Sequence, residues 1–281
     1  MDLKCMTCFM QQAVKAAALS TADPGLQLKA VKKAARSLSD LDPEDTPPEI
    51  ATDLFKIIID VTGNPDAYKE LKKKSNETVA GLLDTVRGII SSSADPFAEA
   101  VKISLCGNII DYGILDDFDI EKLIREESAT DIDREKTEKF RRMAASSMKT
   151  VFIADNAGEI GLDALLLARI KQLNPACRIS VLVKSTPLIN DALLEDALYF
   201  GMDAEFEIIE YPDTVGFKLK GMPGDISRLI GQADLIISKG QANYEILNDA
   251  GMKNTVFLLR AKCDVVARSI GVEEGSPVLI V

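Results

Sequence analysis

The sequence contains no histidine, and this absence excludes several kinds of site at once. Without an imidazole there is no Ser-His-Asp triad, no histidine general base and no histidine-ligated zinc. Acid–base or metal chemistry must therefore use Asp, Glu, Asn, Lys or Cys. The motifs G-x-G-x-x-G and G-x-x-x-x-G-K-[ST] are also missing, which excludes a standard dinucleotide fingerprint and a P-loop ATPase.

Long apolar runs are missing as well, and basic residues are outnumbered by acidic ones. No stretch reaches about 18 uncharged apolar residues, so we expect no membrane span. The start, MDLKCMTCFMQQ, lacks the apolar segment of a secretory signal, and five cysteines are an odd number for a secreted disulfide framework. We therefore expect a soluble cytoplasmic protein. With 33 Lys and Arg against 44 Asp and Glu, the net charge is -11, which disfavours nucleic acid as a partner but leaves room for a small anion.

The first half of the chain has a helical period. With 281 residues, the chain is long enough for about two domains. Apolar residues at helical spacing recur at 54–61 and 79–90, and Pro-containing helix starts stand at 46–50, 64–68 and 94–99. We predict six or seven helices and an all-helical domain over residues 1–148.

The second half alternates short apolar runs with helical segments. Such a pattern is typical of a parallel sheet covered on both faces. We predict a Rossmann-like three-layer α/β/α domain over residues 149–281 with a mostly parallel sheet, and thus an α/β fold class. The predicted strands are 150–154, 179–183, 204–209, 234–238, 255–259 and 277–281, with helices at 161–173 and 187–200 among the connections.

Polar residues follow the predicted strands at the edge where open parallel sheets bind ligands. Asp155 and Asn156 follow the first strand, and Asp191 is expected one turn into the helix after the second. Their oxygens are of the kind that hold Mg²⁺ or Mn²⁺. Lys184 and Lys239 follow the second and fourth predicted strands, where they can neutralise phosphate oxygens. Oxygen-ligated metal together with lysine indicates phosphoryl transfer.

Simpler interpretations of these residues stay open. An Asp-Asn pair at a strand end is often a helix N-cap. Asn108 and Asp111, three apart on one predicted helix face, either line a cleft or cap that helix.

The Cys5-x-x-Cys8 pair is ambiguous in the same way. A zinc or iron–sulfur site would need Cys106, Cys177 and Cys263 to converge on it, and a thioredoxin-like pair normally follows a strand. Structural thiols outside the chemistry are the remaining interpretation, and we expect Cys5 and Cys8 to be peripheral.

Seven motifs, taken in order, resemble the metal-dependent damage-control phosphatases, a family long catalogued as of unknown function. The resemblance covers nearly the whole chain, and the N-terminal Cys-x-x-Cys is similar to the stand-alone, mostly prokaryotic branch. The motifs are MDLKCMTC, NPDAYKELKKKSNE, CGNIIDYGI, ADNAGEIGLDALLL, KSTPLINDALLEDA, ADLIISKGQANYEIL and FLLRAKCDVVARSIG. One departure is the Lys-Ser-Thr-Pro of the second loop, where relatives often carry glycines.

The resemblance implies roles for individual residues. Asp155, Asn156 and Asp191 would bind a divalent ion of the Mg, Mn, Co or Ni class, with Asp155, Asp191 and Lys239 catalytic. An attacking water and an aspartyl-phosphate intermediate both stay open. The residues expected to bind the substrate are Asn108, Asp111, Glu159, Lys184, Lys239 and Asn243.

The expected partner is a small phosphorylated metabolite, such as a sugar phosphate or a damaged cofactor intermediate, with no nucleic acid and no membrane. Two other classes are kept as alternatives. One is a methyltransferase or nucleotide-binding enzyme using the Rossmann-like half; the other is a non-catalytic cysteine-based metal or redox module. The sequence does not give the oligomeric state.

Overall fold

The N-terminal half is helical, as its period predicts. The structure, a computed structural model, describes residues 1–41, 45–107, 132–212, 215–218, 221–248 and 251–281. Before residue 149 these ranges contain six α-helices and a 3₁₀ turn at Leu38–Asp40. The helices are α1 (Leu3–Ser20), α2 (Pro24–Ser37), α3 (Pro47–Thr62), α4 (Lys69–Ser92), α5 (Pro96–Cys106) and α6 (Arg134–Ser146). None of the described helices is long and apolar enough to cross a membrane.

Two of the predicted helix starts are built as the sequence indicates. Thr46 and Glu49 form a capping box at α3, in which the Thr46 backbone N–H donates to Glu49 Oε2 at 2.9 Å. Asp95 caps α5 by accepting a hydrogen bond from the Ala98 N–H at 3.0 Å. A proline in the first turn of each helix costs no hydrogen bond, because that N–H has no helical partner.

The C-terminal half forms one six-stranded sheet in the order β3-β2-β1-β4-β5-β6. All neighbouring strands are parallel except β5 and β6, so the mostly parallel sheet is confirmed. The strands are β1 (Lys149–Ile153), β2 (Arg178–Lys184), β3 (Glu207–Tyr211), β4 (Leu235–Lys239), β5 (Thr255–Arg260) and β6 (Pro277–Ile280). The helices are α7 (Glu159–Leu173), α8 (Leu194–Tyr199), α9 (Gly224–Gly231), α10 (Gln241–Leu247) and α11 (Asp264–Ile270).

Helices cover both faces of the sheet, which makes the predicted three layers. One face shares its core with α4 to α8, and the other with α9 to α11. Helices α1 to α3 have a separate core that also takes in Leu188 and Val215 from loops of the sheet domain. The secondary structure thus changes type at residue 149, but α4 to α6 pack on the sheet. The domain boundary at 148 stays a prediction.

Two predicted elements are misplaced, and both errors concern the site. The strand predicted at 204–209 begins later, because Gly201 turns the chain (φ 66°) into a 3₁₀ turn at Met202–Ala204. As a result Tyr211 ends β3. The helix predicted at 187–200 is only α8, because the residues before it pair with the loop that follows β1.

Candidate functional site

The loops after β1 and β2 are hydrogen-bonded to each other along their backbones. Asn156 and Asp191 form an isolated antiparallel bridge. The Ala192 N–H donates to the Asp155 carbonyl at 2.8 Å, and the Ala157 N–H donates to the Asn190 carbonyl at 2.9 Å. The prediction that Asp191 lies in a helix is therefore wrong. The loop pairing holds it beside Asn156, and the predicted convergence of the two strand ends is confirmed.

This pairing stands beside the point between β1 and β4 where the strand order reverses, and ligands bind at such points in open α/β sheets. Helix α7 begins at Glu159 with Gly158 as its N-cap and no side-chain cap. Asp155 and Asn156 therefore do not cap the following helix, and the capping interpretation of the pair is wrong.

Backbone conformation on either side of the site is unusual. Ile189, two residues before Asp191, has a φ of 49°, a left-handed value that costs a β-branched residue free energy. Gly240 has a φ of 81°, and a Cβ placed there would lie 2.1 Å from Asp155 Oδ2. The loop after β4 therefore approaches the Asp155 carboxylate so closely that only glycine fits at position 240.

The three predicted metal ligands line one cavity of about 430 Å³. Asp155, Asn156 and Asp191 stand at the strand ends, while α1, α3, α10 and the loop after β5 supply the other walls. The volume lies within the range of small-molecule sites. Much of the α1 and α3 wall is apolar, including Phe9 and Phe55.

A line of hydrogen bonds runs from Asp155 to Lys239. The Asn156 Nδ2 group donates to Asp155 Oδ2 at 2.7 Å and to Glu159 Oε2 at 2.8 Å. The other oxygen of Glu159, Oε1, lies 2.8 Å from Lys239 Nζ. Since both amide hydrogens of Asn156 are engaged, its Oδ1 is left as the acceptor atom.

Lys239 is fully buried behind this line, with a relative exposure of 0%. Its ammonium donates to Asp163 Oδ1 at 2.7 Å, to Ser104 Oγ at 2.8 Å and to the Ser104 carbonyl. Burial alone would lower the pKa of Lys239, but Asp163 and Glu159 raise it above its ordinary value; burial raises the pKa of Asp163 to about 7. Lys239 does not line the cavity, so the expected contact with a substrate phosphate stays a prediction.

Lys184 and Tyr211 end β2 and β3 next to Asp191. Lys184 Nζ lies 3.7 Å from Asp191 Oδ2, donates to the Gly216 carbonyl at 2.9 Å, and sits 4.2 Å from the centre of the Tyr211 ring. The Tyr211 hydroxyl is buried without a hydrogen-bond partner. Burial raises the pKa of Tyr211 well above its ordinary value, and the charges of Asp191 and Asp155 raise it further.

Of the three other predicted substrate residues, one is described by the structure. Asn243 is buried; its Nδ2 donates to the Lys239 carbonyl at 2.7 Å, and its Oδ1 has no partner. Asn108 and Asp111 lie outside the described residues. The residue before them, Gly107, packs against Glu159, since a Cβ there would lie 2.6 Å from Glu159 Cγ.

Three of the cysteines lie at the site. Cys5, Cys8 and Cys263 all line the cavity, and the expectation that the N-terminal pair is peripheral to the chemistry stays a prediction. Cys106 and Cys177 are buried elsewhere. Among the described residues, no group of three or more His, Cys, Asp or Glu side chains is arranged to hold a metal ion, so the thiols form no such group.

Sequence reasoning missed Tyr211, Asp163 and Glu245. Tyr211 was missed because the predicted strand ended at residue 209, two residues before the true end of β3. Asp163 carried a signal, because it is a carboxyl within the apolar run of α7. Glu245, on α10, lines the cavity, and burial raises its pKa to about 7.

Comparison with known proteins agrees with this fold. The chain is 32% identical to a damage-control phosphatase of Archaeoglobus fulgidus, over 98% of this chain and 96% of that protein. It is 30% identical to a damage-control phosphatase of Pyrococcus horikoshii, over 97% of this chain and 95% of that one. The crystal structure of a DUF89 family protein from Pyrococcus horikoshii superposes with a TM-score of 0.91 at 28% identity, covering 100% of this chain and 98% of that one.

The family model for the damage-control phosphatase ARMT1-like domain matches residues 1–278. The chain therefore belongs to the ARMT1-like damage-control phosphatase family.

Proposed function

We propose that the chain is a divalent-metal-dependent phosphatase that hydrolyses phosphomonoesters of small metabolites in the cavity at the strand ends. The observation that carries the proposal is the paired loops after β1 and β2. They bring Asp155, Asn156 and Asp191 to the switch point of the sheet in one cavity. The relatives named damage-control phosphatases support the reaction class.

The residues at this position fit a hard divalent cation. Two carboxylates and one amide oxygen suit an ion of the Mg, Mn, Co or Ni class, with water and substrate completing the coordination. The buried, unpartnered hydroxyl of Tyr211 lies where the charges of Asp191 and Asp155 act on it, which supports a polar occupant beside them. Since only two carboxylates contribute, the site holds too few protein donors to enclose the ion and leaves positions open.

When bound, such an ion supplies Lewis-acid polarisation of the phosphoryl group. The chain's own residues position the ligand atoms and neutralise charge. Glu159 fixes the Asn156 amide so that Oδ1 is available, and Lys239 holds Glu159 through a buried ion pair. Lys184, 3.7 Å from Asp191, offsets part of the negative charge on that side. In this arrangement Lys239 and Glu159 act through Asn156, as positioning residues.

The cavity also constrains the substrate. Its volume of about 430 Å³ and its apolar α1 and α3 wall suit a small phosphorylated metabolite whose organic part fills space between the helical unit and the sheet. Asn243 and Lys239 are proposed as further phosphate-binding groups, a role that requires their buried contacts to open. Asn108 and Asp111 are proposed to border the same cavity.

The test is a metal-resolved phosphatase assay on the full chain. Chelated protein is incubated with a panel of small phosphomonoesters, and phosphate release is measured before and after addition of Mg²⁺, Mn²⁺, Co²⁺ or Ni²⁺. We expect chelation to abolish release and at least one ion to restore it. Asp191→Asn should not be restored, whereas Asp203→Asn, at an exposed site in the 3₁₀ turn, should match the wild type. Full activity in the chelated protein would refute the proposal.

A further inference from the structure

We propose that Glu245 is the general acid of this phosphatase, protonating the leaving alcohol oxygen as its bond to phosphorus breaks. The inference rests on the proposed function, because it assigns a step of that reaction. It concerns a residue on α10, away from the strand-end donors.

The position of Glu245 in the cavity is the first observation. Helix α10 follows β4 directly, and its face formed by Gln241, Ala242 and Glu245 lines the same cavity as Asp155 and Asp191. Glu245 lies about one turn into α10, so it lines the cavity beyond the strand ends. A substrate whose phosphate is held at the strand ends would therefore extend its organic part towards Glu245.

The second observation is what else the cavity offers as a proton donor. The chain has no histidine, and Asp155 and Asp191 are taken up as ligands. The other titratable groups facing the cavity are Tyr68 just before α4, the α1 residues Lys4, Lys15, Cys5 and Cys8, and Lys262 and Cys263 from the loop after β5. Helix α3, which also packs on α10, faces the cavity with Pro and apolar residues; its Glu49 instead pairs with Lys218.

The environment of Glu245 suits proton transfer near neutral pH. Burial raises its pKa to about 7, opposed by a hydrogen bond from Gln241 Nε2 at 3.4 Å to Glu245 Oε2. Burial also raises the pKa of Cys8, so that thiol holds its proton more tightly than an ordinary cysteine. A general acid works best when its pKa is close to the working pH, and lysine lies well above that range in its ordinary state.

The proposed step conserves atoms and charge. Water adds to phosphorus, the bond from phosphorus to the ester oxygen breaks, and the carboxyl proton of Glu245 moves to that oxygen. The products are an alcohol and inorganic phosphate, and the Glu245 carboxylate recovers the proton released by the attacking water. No oxidant or other reactant is required.

The test compares Glu245→Gln with wild type on two esters. An alkyl phosphate has an alkoxide leaving group that needs a proton, whereas the nitrophenolate of p-nitrophenyl phosphate leaves without one. We expect the variant to lose about 100-fold in kcat/KM on the alkyl ester, within the usual range for a general acid, and little on the aryl ester. Glu77→Gln, at an exposed position on α4, is the matched control and should change neither.

The pH profile gives a second readout. For the alkyl ester, the wild-type rate should fall as pH rises through about 7, and Glu245→Gln should remove this fall while keeping the divalent ion bound. Equal losses on both esters, or an unchanged profile, would overturn the assignment. If the glutamine variant is poorly folded, Glu245→Asp, which keeps the carboxyl, should recover part of the rate. A folded Glu245→Asp protein without any recovery would also overturn the assignment. A wild-type chain inactive on every ester with every ion would refute the proposed function itself, a distinct outcome.

Discussion

Tyr211→Phe should make the protein more stable and less active. The Tyr211 hydroxyl is buried without a hydrogen-bond partner, and the residue is only 1% exposed. An unsatisfied buried hydroxyl costs about 1–3 kcal/mol, because it has lost its water without gaining a partner. Removing one oxygen atom leaves the packing against the Phe217 ring, 5.0 Å between centroids, in place. We therefore expect the free energy of unfolding to rise by about 1 kcal/mol or more.

Activity should change in the opposite direction. Tyr211 lies beside Lys184, whose Nζ is 3.7 Å from Asp191 Oδ2, so we expect a ligand bound between Asp155 and Asp191 to give the hydroxyl a partner. A hydrogen bond to a charged ligand contributes about 1.5–3 kcal/mol, which corresponds to a loss of roughly 10-fold to 100-fold in kcat/KM.

The assay is urea denaturation of metal-free protein together with phosphate release by the loaded enzyme. Tyr199→Phe, at an exposed position, is the control and should change neither. A Tyr211→Phe protein that is less stable and fully active would refute the reasoning, because the hydroxyl would then serve the fold.

Three further predictions follow from buried charges and thiols. Lys239→Met should cost about 3–5 kcal/mol in unfolding free energy by leaving Asp163 without its ammonium partner. Loss of that ammonium should raise the pKa of Asp163 further, so the cost should shrink at low pH as the carboxyl takes up a proton. Denaturation at two pH values checks this, and an unaltered stability would contradict it. The pKa of Glu245 is raised from 4.5 to about 7 in the folded protein. Its ionisation should therefore destabilise the wild type by at most about 3 kcal/mol as pH rises from about 4.5 to about 7. Thermal unfolding of Glu245→Gln should not show this loss of stability. The double variant Cys5→Ser, Cys8→Ser should keep phosphatase activity, because the proposed site uses oxygen ligands; loss of activity together with a bound soft metal would contradict that.

Much of the fold followed from periodicity because its elements are long or fully apolar. The apolar runs predicted β1, β2, β4, β5 and β6 closely, and the parallel sheet followed from their alternation with helices. The meeting of Asp155 and Asp191 in one cavity followed from position, because the neighbouring strands β1 and β2 end at one edge of the sheet.

The predictions that failed concerned one local segment and several contacts between residues that are distant in the sequence. The segment before α8 was predicted as helix because its side chains favour one, but tertiary pairing of Asn156 with Asp191 overrode that preference. The burial of Lys239 depends on Ser104, 135 residues away in sequence, which no local pattern reveals. The thiols Cys5 and Cys263 reach one cavity only because α1 packs beside the loop after β5 and the start of α11, where Lys4 pairs with Asp264.

The central claim is a single divalent ion held by Asp155, Asn156 and Asp191. The number of bound ions is measured most directly by titrating metal-free protein with Mn²⁺ and monitoring the electron paramagnetic resonance signal of the free ion. We predict one bound Mn²⁺ per chain in the wild type and in Asp203→Asn. Asp155→Asn and Asp191→Asn should show no bound ion while keeping the unfolding transition of the folded protein. Stoichiometric Mn²⁺ in both strand-end variants would contradict the account.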